Sequence, residues 1–310
     1  TSRLTRDLAL VNSPPSATKK TTIPKLVYGT AWKKEQTADL VYMAIANGFR
    51  GIDTAAQPRH YDEKGVATGI RRAITDGIVR REDLFIQTKF TAPGGQSSVS
   101  PYDMDASLVD KVHQSVQSSL RNFTFDAEPY IDSLVLHSPL NTAQETLTVW
   151  NTLSTYTPHP VRNLGISNVT LPVLESIWDN AGTEGVRPAV VQNRFHDLTG
   201  YEVHIRAFCR EMDVVFQSFW TLSANPSLAS SEPVVKVARG AGIDSTPAAY
   251  YALVLGLEGV TVLDGTTSED HMRDDLGGVE AVGIWAEGEG REVWEEALRE
   301  FKGLIGEPSC

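Results

Sequence analysis

The sequence predicts an α/β fold, a closed (β/α)8 or TIM barrel in which residues 1–310 form a single domain. Two observations lead to this prediction. Eight short runs rich in Val, Ile, Leu and Phe alternate one to one with amphipathic stretches along the chain, as expected for βα repeats that close into a barrel. Most of these runs are apolar at nearly every position, which is typical of parallel strands buried on both faces. An open doubly wound sheet is the alternative, but it lacks this regular alternation.

The individual elements follow from the same patterns. The predicted strands are Lys25–Ala31, Gly51–Ala55, Leu84–Phe90, Ser133–Pro139, Val161–Asn168, Ala189–Phe195, Val214–Trp220 and Val260–Thr266. Helical periodicity predicts helices over Thr37–Asn47, Glu63–Asp76, Met104–Phe123, Ala143–Tyr156, Leu171–Ala181, Tyr201–Met212, Val234–Ala241, Pro247–Glu258, Glu269–Leu276 and Glu292–Leu304. The seventh gap holds two of these helices and an additional helix follows the eighth unit, so the βα repeats number eight.

Three segments stand apart from this alternation. Residues 1–23 precede the first strand, and we expect either a flexible N-terminal extension or a cap over the bottom of the barrel. The connections Thr91–Asp103 and Thr221–Pro233 are long and rich in Ser, and both contain Pro. Each follows the carboxyl end of a strand, where barrel enzymes carry their sites. We therefore expect functional loops at this face, with plain surface loops as the alternative.

The charge balance limits the choice of partners. The chain has 28 Lys and Arg against 39 Asp and Glu, a formal net charge of −11, which argues against nucleic acids and anionic membranes. No apolar run reaches the length of a membrane span, and the first residues lack the apolar core of a secretion signal. Cys209 and Cys310 do not make a disulfide framework, which suits a reducing compartment. We expect a cytoplasmic protein, monomeric or weakly homo-oligomeric, with a basic transit peptide as the alternative for its N-terminus.

Four polar side chains lie at or just after the ends of consecutive predicted strands. Asp53 belongs to the second strand, Tyr61 follows in its loop, Lys89 comes near the end of the third strand and His137 near the end of the fourth. Because the carboxyl ends of barrel strands meet at one face, we expect these side chains to share one pocket. Asp53 alone is explained by a turn cap and His137 alone by a satisfied core histidine. Lys89 is harder to explain structurally, because a Lys in an apolar strand is costly to bury without a partner.

Together the four side chains are suited to deliver a proton. A free tyrosine phenol has a pKa of about 10 and is a poor acid at neutral pH. A nearby ammonium such as that of Lys89 stabilises the phenolate and is expected to lower the pKa of Tyr61. Asp53 would keep Lys89 charged and oriented, and His137 would donate a hydrogen bond to a carbonyl oxygen as charge develops on it. The pattern therefore predicts reduction of a carbonyl compound.

Six short motifs carry a resemblance to a known family. They are Gly29-Thr30, Gly51-Ile52-Asp53-Thr54-Ala55, Gln87-Thr88-Lys89, Leu134-Val135-Leu136-His137, Gly165-Ile166-Ser167-Asn168 and Val191-Gln192. In this order and at these strand ends, the sequence resembles the aldo-keto reductases from about residue 24 to about residue 275. The resemblance implies an NAD(P)H-dependent enzyme that transfers a hydride to an aldehyde or ketone, with Tyr61 as proton donor and Asp53, Lys89 and His137 in support. The segment Thr-Ala-Ala-Gln-Pro-Arg-His between Asp53 and Tyr61 is longer than is common in the family.

The same resemblance implies a set of cofactor-binding residues. They are Gly29, Thr30, Asp53, Ser167, Asn168, Gln192, Gln217, Ser218, Phe219, Trp220, Thr266, Thr267, Ser268, His271 and Asp275. The family usually places an aromatic ring under the nicotinamide where this chain has Gln217. The platform is therefore either absent or supplied by Phe216, Phe219 or Trp220, and packing in the barrel core is the alternative for these aromatics. At the family's adenosine phosphate site, Gly265 stands in place of a Lys and His271 in place of an Arg. The cofactor implied is NADP(H), with NAD(H) as the alternative.

Aromatic and polar residues near the strand ends predict the substrate pocket. Trp32, His60, Phe90 and Trp220 are expected to line it, and an aromatic pocket suits hydrophobic or aromatic carbonyl compounds. No metal is expected, because the strand ends do not supply the His and carboxylate cluster of a metal-dependent hydrolase. A cofactor-binding barrel with a regulatory or non-catalytic role is the alternative function, since a fold does not determine an activity.

Overall fold

Eight parallel strands close into a barrel, which confirms the predicted fold class. The computed structural model describes residues 1–11, 20–125, 127–182 and 185–307. The barrel strands are β3 Leu26–Gly29, β4 Gly51–Asp53, β5 Phe85–Phe90, β6 Ser133–Leu136, β7 Leu164–Ser167, β8 Val190–Arg194, β9 Val215–Phe219 and β10 Val260–Asp264, preceded by β1 Leu8–Ala9 and β2 Thr22–Ile23. Each barrel strand pairs with the next one in sequence. Val262 of the last strand pairs with Leu26 of the first, and this pairing closes the barrel.

Helices surround the barrel and connect its strands. They are α1 Thr37–Ala46, α2 Glu63–Thr75, α3 Leu108–Asn122, α4 Ala143–Ser154, α5 Leu171–Ala181, α6 Val203–Glu211, α7 Pro226–Ala229, α8 Glu232–Ala241, α9 Thr246–Leu255, α10 Glu269–Glu287 and α11 Arg291–Leu304. Within the described ranges, none of them combines the length and the apolar character needed to cross a membrane. Their apolar faces pack on the outer face of the sheet in one large core cluster.

Two of the predicted helices have a limit that is wrong by about four residues or more, whereas the other limits agree more closely. Helix α3 begins at Leu108 rather than Met104, because the Ser107 side chain accepts a hydrogen bond from the Asp110 N–H at 3.1 Å and caps the helix there. Helix α10 does not end near Leu276 but continues to Glu287. A Cβ atom at Gly278 would lie 2.5 Å from the Cβ of Ala248 on α9, so glycine here allows two helices to approach closely rather than ending one.

The N-terminal segment lies against the bottom of the barrel. Strands β1 and β2 pair antiparallel, and Leu10 and Ile23 beside them are buried. They form a second apolar cluster with residues near the amino ends of barrel strands, among them Val27, Phe85 and Val215. Leu8, Leu10 and Ile23 thus cover apolar side chains at the amino ends of the barrel strands. Cys209 is buried and unpaired, whereas Cys310 lies outside the described residues.

The barrel interior changes from apolar to polar along its axis. Side chains two residues apart on a strand point to the same face. Phe85, at the bottom of β5, is therefore followed on the interior face by Gln87 and then by Lys89. In the same way Gln192 follows Val190 on β8 and Gln217 follows Val215 on β9. The polar members of these pairs are all buried, and so is Asp53 on β4. The polar layer therefore lies directly above the apolar floor.

Candidate active site

An ion pair joins two neighbouring strands in the polar layer. The Lys89 ammonium on β5 lies 2.6 Å from Oδ2 of Asp53 on β4 and also donates to the Thr54 carbonyl at 2.8 Å. The exposed fractions of the Lys89 and Asp53 side chains are 0% and 2%, so water screens their attraction little. Burial by itself lowers the pKa of Lys89, but the Asp53 carboxylate and the Tyr61 phenol raise it above its ordinary value. The pair therefore holds a cation in a site that excludes water.

The residues that precede Tyr61 fold into a turn that brings its ring over Lys89. The backbone N–H groups of His60 and Tyr61 both donate to the Gln57 carbonyl at 3.0 Å, and the Gln57 side chain donates to the Gly95 carbonyl at 2.7 Å. The Lys89 ammonium lies 4.9 Å from the centre of the Tyr61 ring, and the phenol contributes to the raised pKa of Lys89. The turn absorbs the additional residues of this loop, so the longer spacing does not separate the phenol from the ammonium.

The pKa of Tyr61 is set by effects that oppose one another. Burial raises the pKa of Tyr61 most strongly, the charge and hydrogen bond of Lys89 lower it, and Asp53 raises it. The result is a pKa above the ordinary value for tyrosine, whereas the sequence led us to expect one below it. The expectation considered only the ammonium and left out the cost of burying the phenolate charge.

A buried carboxylate next to Tyr61 holds its segment in place. Glu63 begins α2 and accepts hydrogen bonds from Thr88 on β5 and from Ser119 and Asn122 on α3, at 2.9 Å from Ser119 Oγ and 3.1 Å from Asn122 Nδ2. Burial raises the pKa of Glu63, and these three donors partly oppose the increase. Because Thr88 directly precedes Lys89, Glu63 fastens the Tyr61 segment to the strand that carries the ammonium.

His137 completes the group from the next strand. Its ring meets the Tyr61 ring edge to face, with 5.9 Å between the ring centres, and its Nδ1 atom lies 2.6 Å from Thr91 Oγ1. Burial, followed by the charges of Lys89 and His60, lowers the pKa of His137 to about 3. The imidazole is therefore neutral at physiological pH. When Thr91 donates to Nδ1, the ring proton resides on Nε2 and is available to a ligand.

A cavity of about 770 Å³ opens above these side chains. Tyr61 and His137 line its base, and the predicted substrate residues Trp32 and His60 form part of its wall, with 4.0 Å between their ring centres. The loop after β5 contributes Ala92, Pro93, Gly94 and Gly95. Polar side chains that the sequence did not single out also line the cavity, namely Lys111, Asn141 and Glu145.

Two of the predicted substrate residues lie elsewhere. Phe90 is fully buried and packs against Tyr102, with 5.9 Å between the ring centres. Its ring therefore lies in the core and not in the cavity. Trp220 is 51% exposed, and the Arg194 guanidinium lies 4.4 Å from its ring centre. Neither residue is among those that line the cavity. Aromatic character near a strand end did not reveal on which side of the strand the ring would lie.

Comparison with known proteins agrees with this arrangement. A profile of the Aldo/keto reductase family matches residues 25–244. The chain belongs to the aldo/keto reductase family. The match confirms the resemblance that was drawn from the strand-end motifs.

Individual relatives share this family at modest identity. The NAD(P)H-dependent D-xylose reductase of Pachysolen tannophilus is 35% identical over 119 residues, which span 38% of this chain and only 32% of that protein. Aldo-keto reductase family 1 member C21 of Mus musculus is 25% identical over 286 residues and 82% of each protein. The structure of the Bombyx mori aldo-keto reductase AKR2E5 complexed with NADPH aligns with a TM-score of 0.70 at 20% identity, over 91% of this chain and 87% of that one. The structural likeness shows the shared fold.

The first group of predicted cofactor residues lies around the candidate site described above. Asn168 has a positive φ of 53° and lines the cavity, where its Nδ2 atom donates to the His137 carbonyl at 2.9 Å. Gln192 donates to Asp53 Oδ1 at 3.0 Å. The remaining members, Gly29, Thr30, Ser167, Gln217, Ser218, Phe219 and Trp220, all lie at or near the carboxyl ends of barrel strands. Gln217 is fully buried in the polar layer, so an aromatic platform at this position is absent.

The second group follows β10 and begins α10. Thr266 accepts from the Ser268 N–H at 3.2 Å, and Ser268 caps the helix by accepting from the His271 N–H at 3.4 Å; Thr267 lies exposed between them. Asp275 is buried, and the charge of Asp264 at the end of β10 acts on it. Burial, followed by the Asp264 charge, raises the pKa of Asp275 to about 8. In the described ranges, no three His, Cys, Asp or Glu side chains come together as a metal site requires.

One cation beside this group was not predicted from the sequence. Lys33, directly after Trp32, donates a hydrogen bond to the Gly265 carbonyl, and its ammonium lies 5.8 Å from the centre of the Tyr28 ring. Burial lowers the pKa of Lys33, and Asp264 partly opposes this. Lys33 therefore brings a positive charge to the position where the family's Lys is replaced by Gly265. Only the closure of the barrel between β3 and β10 brings these two residues together.

The Asp264–Asp275 pair predicts a pH-dependent stability. The pKa of Asp275 is raised from 3.8 to about 8. Between about pH 4 and pH 8, the folded protein therefore keeps a proton on Asp275 that the unfolded chain has already released. The free energy of unfolding should therefore fall as the pH rises through this window. In Asp275→Asn the free energy of unfolding should fall less over this window. Its slope against pH should differ from that of the parent protein by up to about 1.4 kcal/mol per pH unit. Urea unfolding of both proteins between pH 5 and pH 9 measures this.

Asp274→Asn is the matched control, because Asp274 is the exposed neighbour on the same helix. The charge of Asp274 contributes least to the raised pKa of Asp275, so the unfolding free energy of this control should differ from that of the parent protein far less than that of Asp275→Asn does. Parallel curves for the parent and Asp275→Asn would contradict the proton-holding pair.

Proposed function

We propose that this chain is an NAD(P)H-dependent reductase that transfers a hydride to a small aldehyde or ketone, with Tyr61 as the proton donor. The observation that carries the proposal is the contact of the Tyr61 phenol with the buried Lys89–Asp53 pair at the base of a cavity. Membership of the aldo/keto reductase family supports it. So do a relative named as an NAD(P)H-dependent reductase and a structural neighbour complexed with NADPH.

Four side chains have separate roles in the transfer of a proton to the carbonyl oxygen. A bound nicotinamide cofactor would supply the hydride. Tyr61 gives its hydroxyl proton to the carbonyl oxygen, and Lys89 stabilises the phenolate that remains. Asp53 keeps Lys89 charged in the buried site. Neutral His137 donates a hydrogen bond to the carbonyl oxygen as negative charge develops.

The pKa directions suit the reductive reaction. Because burial raises the pKa of Tyr61, its hydroxyl stays protonated throughout the physiological range. Because burial lowers the pKa of His137 to about 3, it does not add a second cation beside Lys89. Reduction is therefore expected to decline only when the pH rises far enough to remove the Tyr61 proton.

The residues present are suited to a nicotinamide dinucleotide. Asn168 presents a polar side chain at the cavity wall, and the buried Gln217 Nε2 atom has no hydrogen-bond partner in the described residues. At the other end, Thr266, Ser268 and Lys33 supply hydroxyls and a charge near the start of α10. We propose NADP(H) as the cofactor, with Lys33 compensating in part for the missing charge at Gly265, and NAD(H) as the alternative.

The cavity indicates the size and character of the substrate. Its volume of about 770 Å³ is in the range of pockets for small organic ligands. Trp32 is 62% exposed and packs against His60, and both residues line the cavity. We propose hydrophobic or aromatic carbonyl compounds as substrates, bound between these rings and the Tyr61 hydroxyl.

Removing the proton donor should abolish reduction without preventing cofactor binding. Tyr61→Phe deletes only the hydroxyl, so the aldehyde reduction rate should fall by at least about 100-fold, while the Kd for NADPH stays within about a factor of two because the ring packing remains. Absorbance at the nicotinamide band follows turnover, and nicotinamide fluorescence follows binding. Near-normal turnover in the variant would contradict the assignment. A parent protein that binds NADPH but reduces none of a panel of aldehydes would favour the non-catalytic alternative.

Cofactor preference is tested by binding alone. If Lys33 and the residues after β10 bind the phosphate that NADPH has and NADH lacks, the Kd for NADPH should be lower than that for NADH. Lys33→Met should then weaken NADPH binding roughly tenfold, because a charge-assisted hydrogen bond is lost. Lys34→Met is the matched control, since Lys34 is the exposed neighbour, and its Kd should not change. Equal affinities for the two cofactors would contradict phosphate recognition.

A further inference from the structure

Three glutamines form a buried layer beneath the ion pair. Gln87, Gln192 and Gln217 come from β5, β8 and β9, and their exposed fractions are 0%, 3% and 0%. They lie two residues beyond the apolar floor of the barrel, on the interior face of their strands. Apolar side chains would fill such positions in an ordinary barrel core, because burying an amide is costly unless its hydrogen bonds are made.

The amides converge on one oxygen of Asp53. Gln87 Nε2 donates to Asp53 Oδ1 at 2.7 Å, and Gln192 Nε2 donates to the same oxygen at 3.0 Å. Both amides also donate to Gln217 Oε1, at 2.5 Å and 2.6 Å. Gln217 thus holds the other two glutamines in place. The second carboxylate oxygen, Oδ2, accepts from Lys89 at 2.6 Å.

Fold stability alone does not explain this layer. Two of its buried atoms, Gln87 Oε1 and Gln217 Nε2, have no hydrogen-bond partner in the described part of the chain. An unpaired buried polar atom destabilises a fold, and apolar side chains of similar volume would avoid this cost. What the layer provides is a fixed orientation of the Asp53 carboxylate.

We infer that Gln87, held by Gln217, is a positioning residue that restricts Asp53 to a single contact with Lys89. With Oδ1 occupied by two amides, the carboxylate offers only Oδ2 to the ammonium, and the other N–H groups of Lys89 remain available to Thr54 and Tyr61. Without Gln87, the partly unpaired Oδ1 draws Lys89 toward the carboxylate and away from the phenol. This inference rests on the proposed function, because it concerns how Tyr61 is prepared to donate its proton.

The test replaces the amide and reads the effect at Tyr61. Gln87→Leu should lower kcat for aldehyde reduction by about tenfold while KM changes less than about twofold. The alkaline limb of the pH profile should move to higher pH by about one unit, because the weaker contact with Lys89 leaves the phenolate less stabilised. The NMR resonance of the Tyr61 ring carbon that bears the hydroxyl, labelled with 13C and assigned with Tyr61→Phe, should move at pH 8 in the cofactor-free protein.

Ser133→Ala is the matched control. Ser133 pairs with Gln87 across β5 and β6, is fully buried, and its hydroxyl has no partner among the described residues. This variant should keep the kcat, the pH profile and the Tyr61 resonance of the parent. If Gln87→Leu does not fold, Gln217→Leu carries the test through the Tyr61 resonance of the cofactor-free protein, since it removes the acceptor that holds Gln87 and should move the resonance in the same sense.

The outcomes separate the inference from the proposed function. Parent-like kcat and an unmoved Tyr61 resonance in the glutamine variants would overturn the positioning role. A parent protein that reduces no aldehyde would overturn the proposed function. The resonance, which requires neither substrate nor cofactor, would then still decide whether Gln87 orients the pair.

Discussion

The candidate site depends on a lysine that is charged although no water reaches it. Lys25 of the same barrel shows the usual consequence of such burial, because desolvation lowers its pKa to about 8 and the more distant Glu258 opposes this only in part. Lys89 is buried more completely, yet its pKa is raised because the Asp53 carboxylate lies 2.6 Å away. A single interaction across β4 and β5 therefore decides whether a cation is present beside Tyr61. Because the pair is buried, the loss of either partner would leave an uncompensated charge.

The rest of the structure holds this pair from two sides. Inside the barrel, the amide of Gln87 occupies the second oxygen of Asp53. Outside it, Glu63 fastens the start of α2 to Thr88, the residue next to Lys89. Thr88 and Lys89 are consecutive residues of β5 and therefore face opposite sides of the strand. Lys89 faces the ion pair, and Thr88 faces the segment that carries Tyr61. The alternation of a β-strand is what allows β5 to organise both the ammonium and the phenol.

The sequence predicted much of this arrangement, because strand periodicity and strand-end position are local properties. The eight strands and the convergence of Asp53, Lys89 and His137 followed from them. Contacts that depend on barrel closure did not, since Lys33 meets Gly265 only where the last strand pairs with the first. The burial of Tyr61 was not predicted either. Burial raises the pKa of Tyr61, whereas the Lys89 charge alone would lower it. Phe90 was assigned to the pocket from its position in the chain, but its ring packs into the core.

The protonation state of Lys89 tests the central claim most directly. Lysine labelled with 15N at Nζ, with Lys89→Met and Lys25→Met for assignment, gives separate NMR titrations of the two buried side chains. The account predicts that Lys89 remains an ammonium beyond about pH 10, whereas Lys25 loses its proton near pH 8. If Lys89 were already neutral at the pH at which Lys25 titrates, no cation would lie beside the phenol, and the proposed proton donor would lack its support.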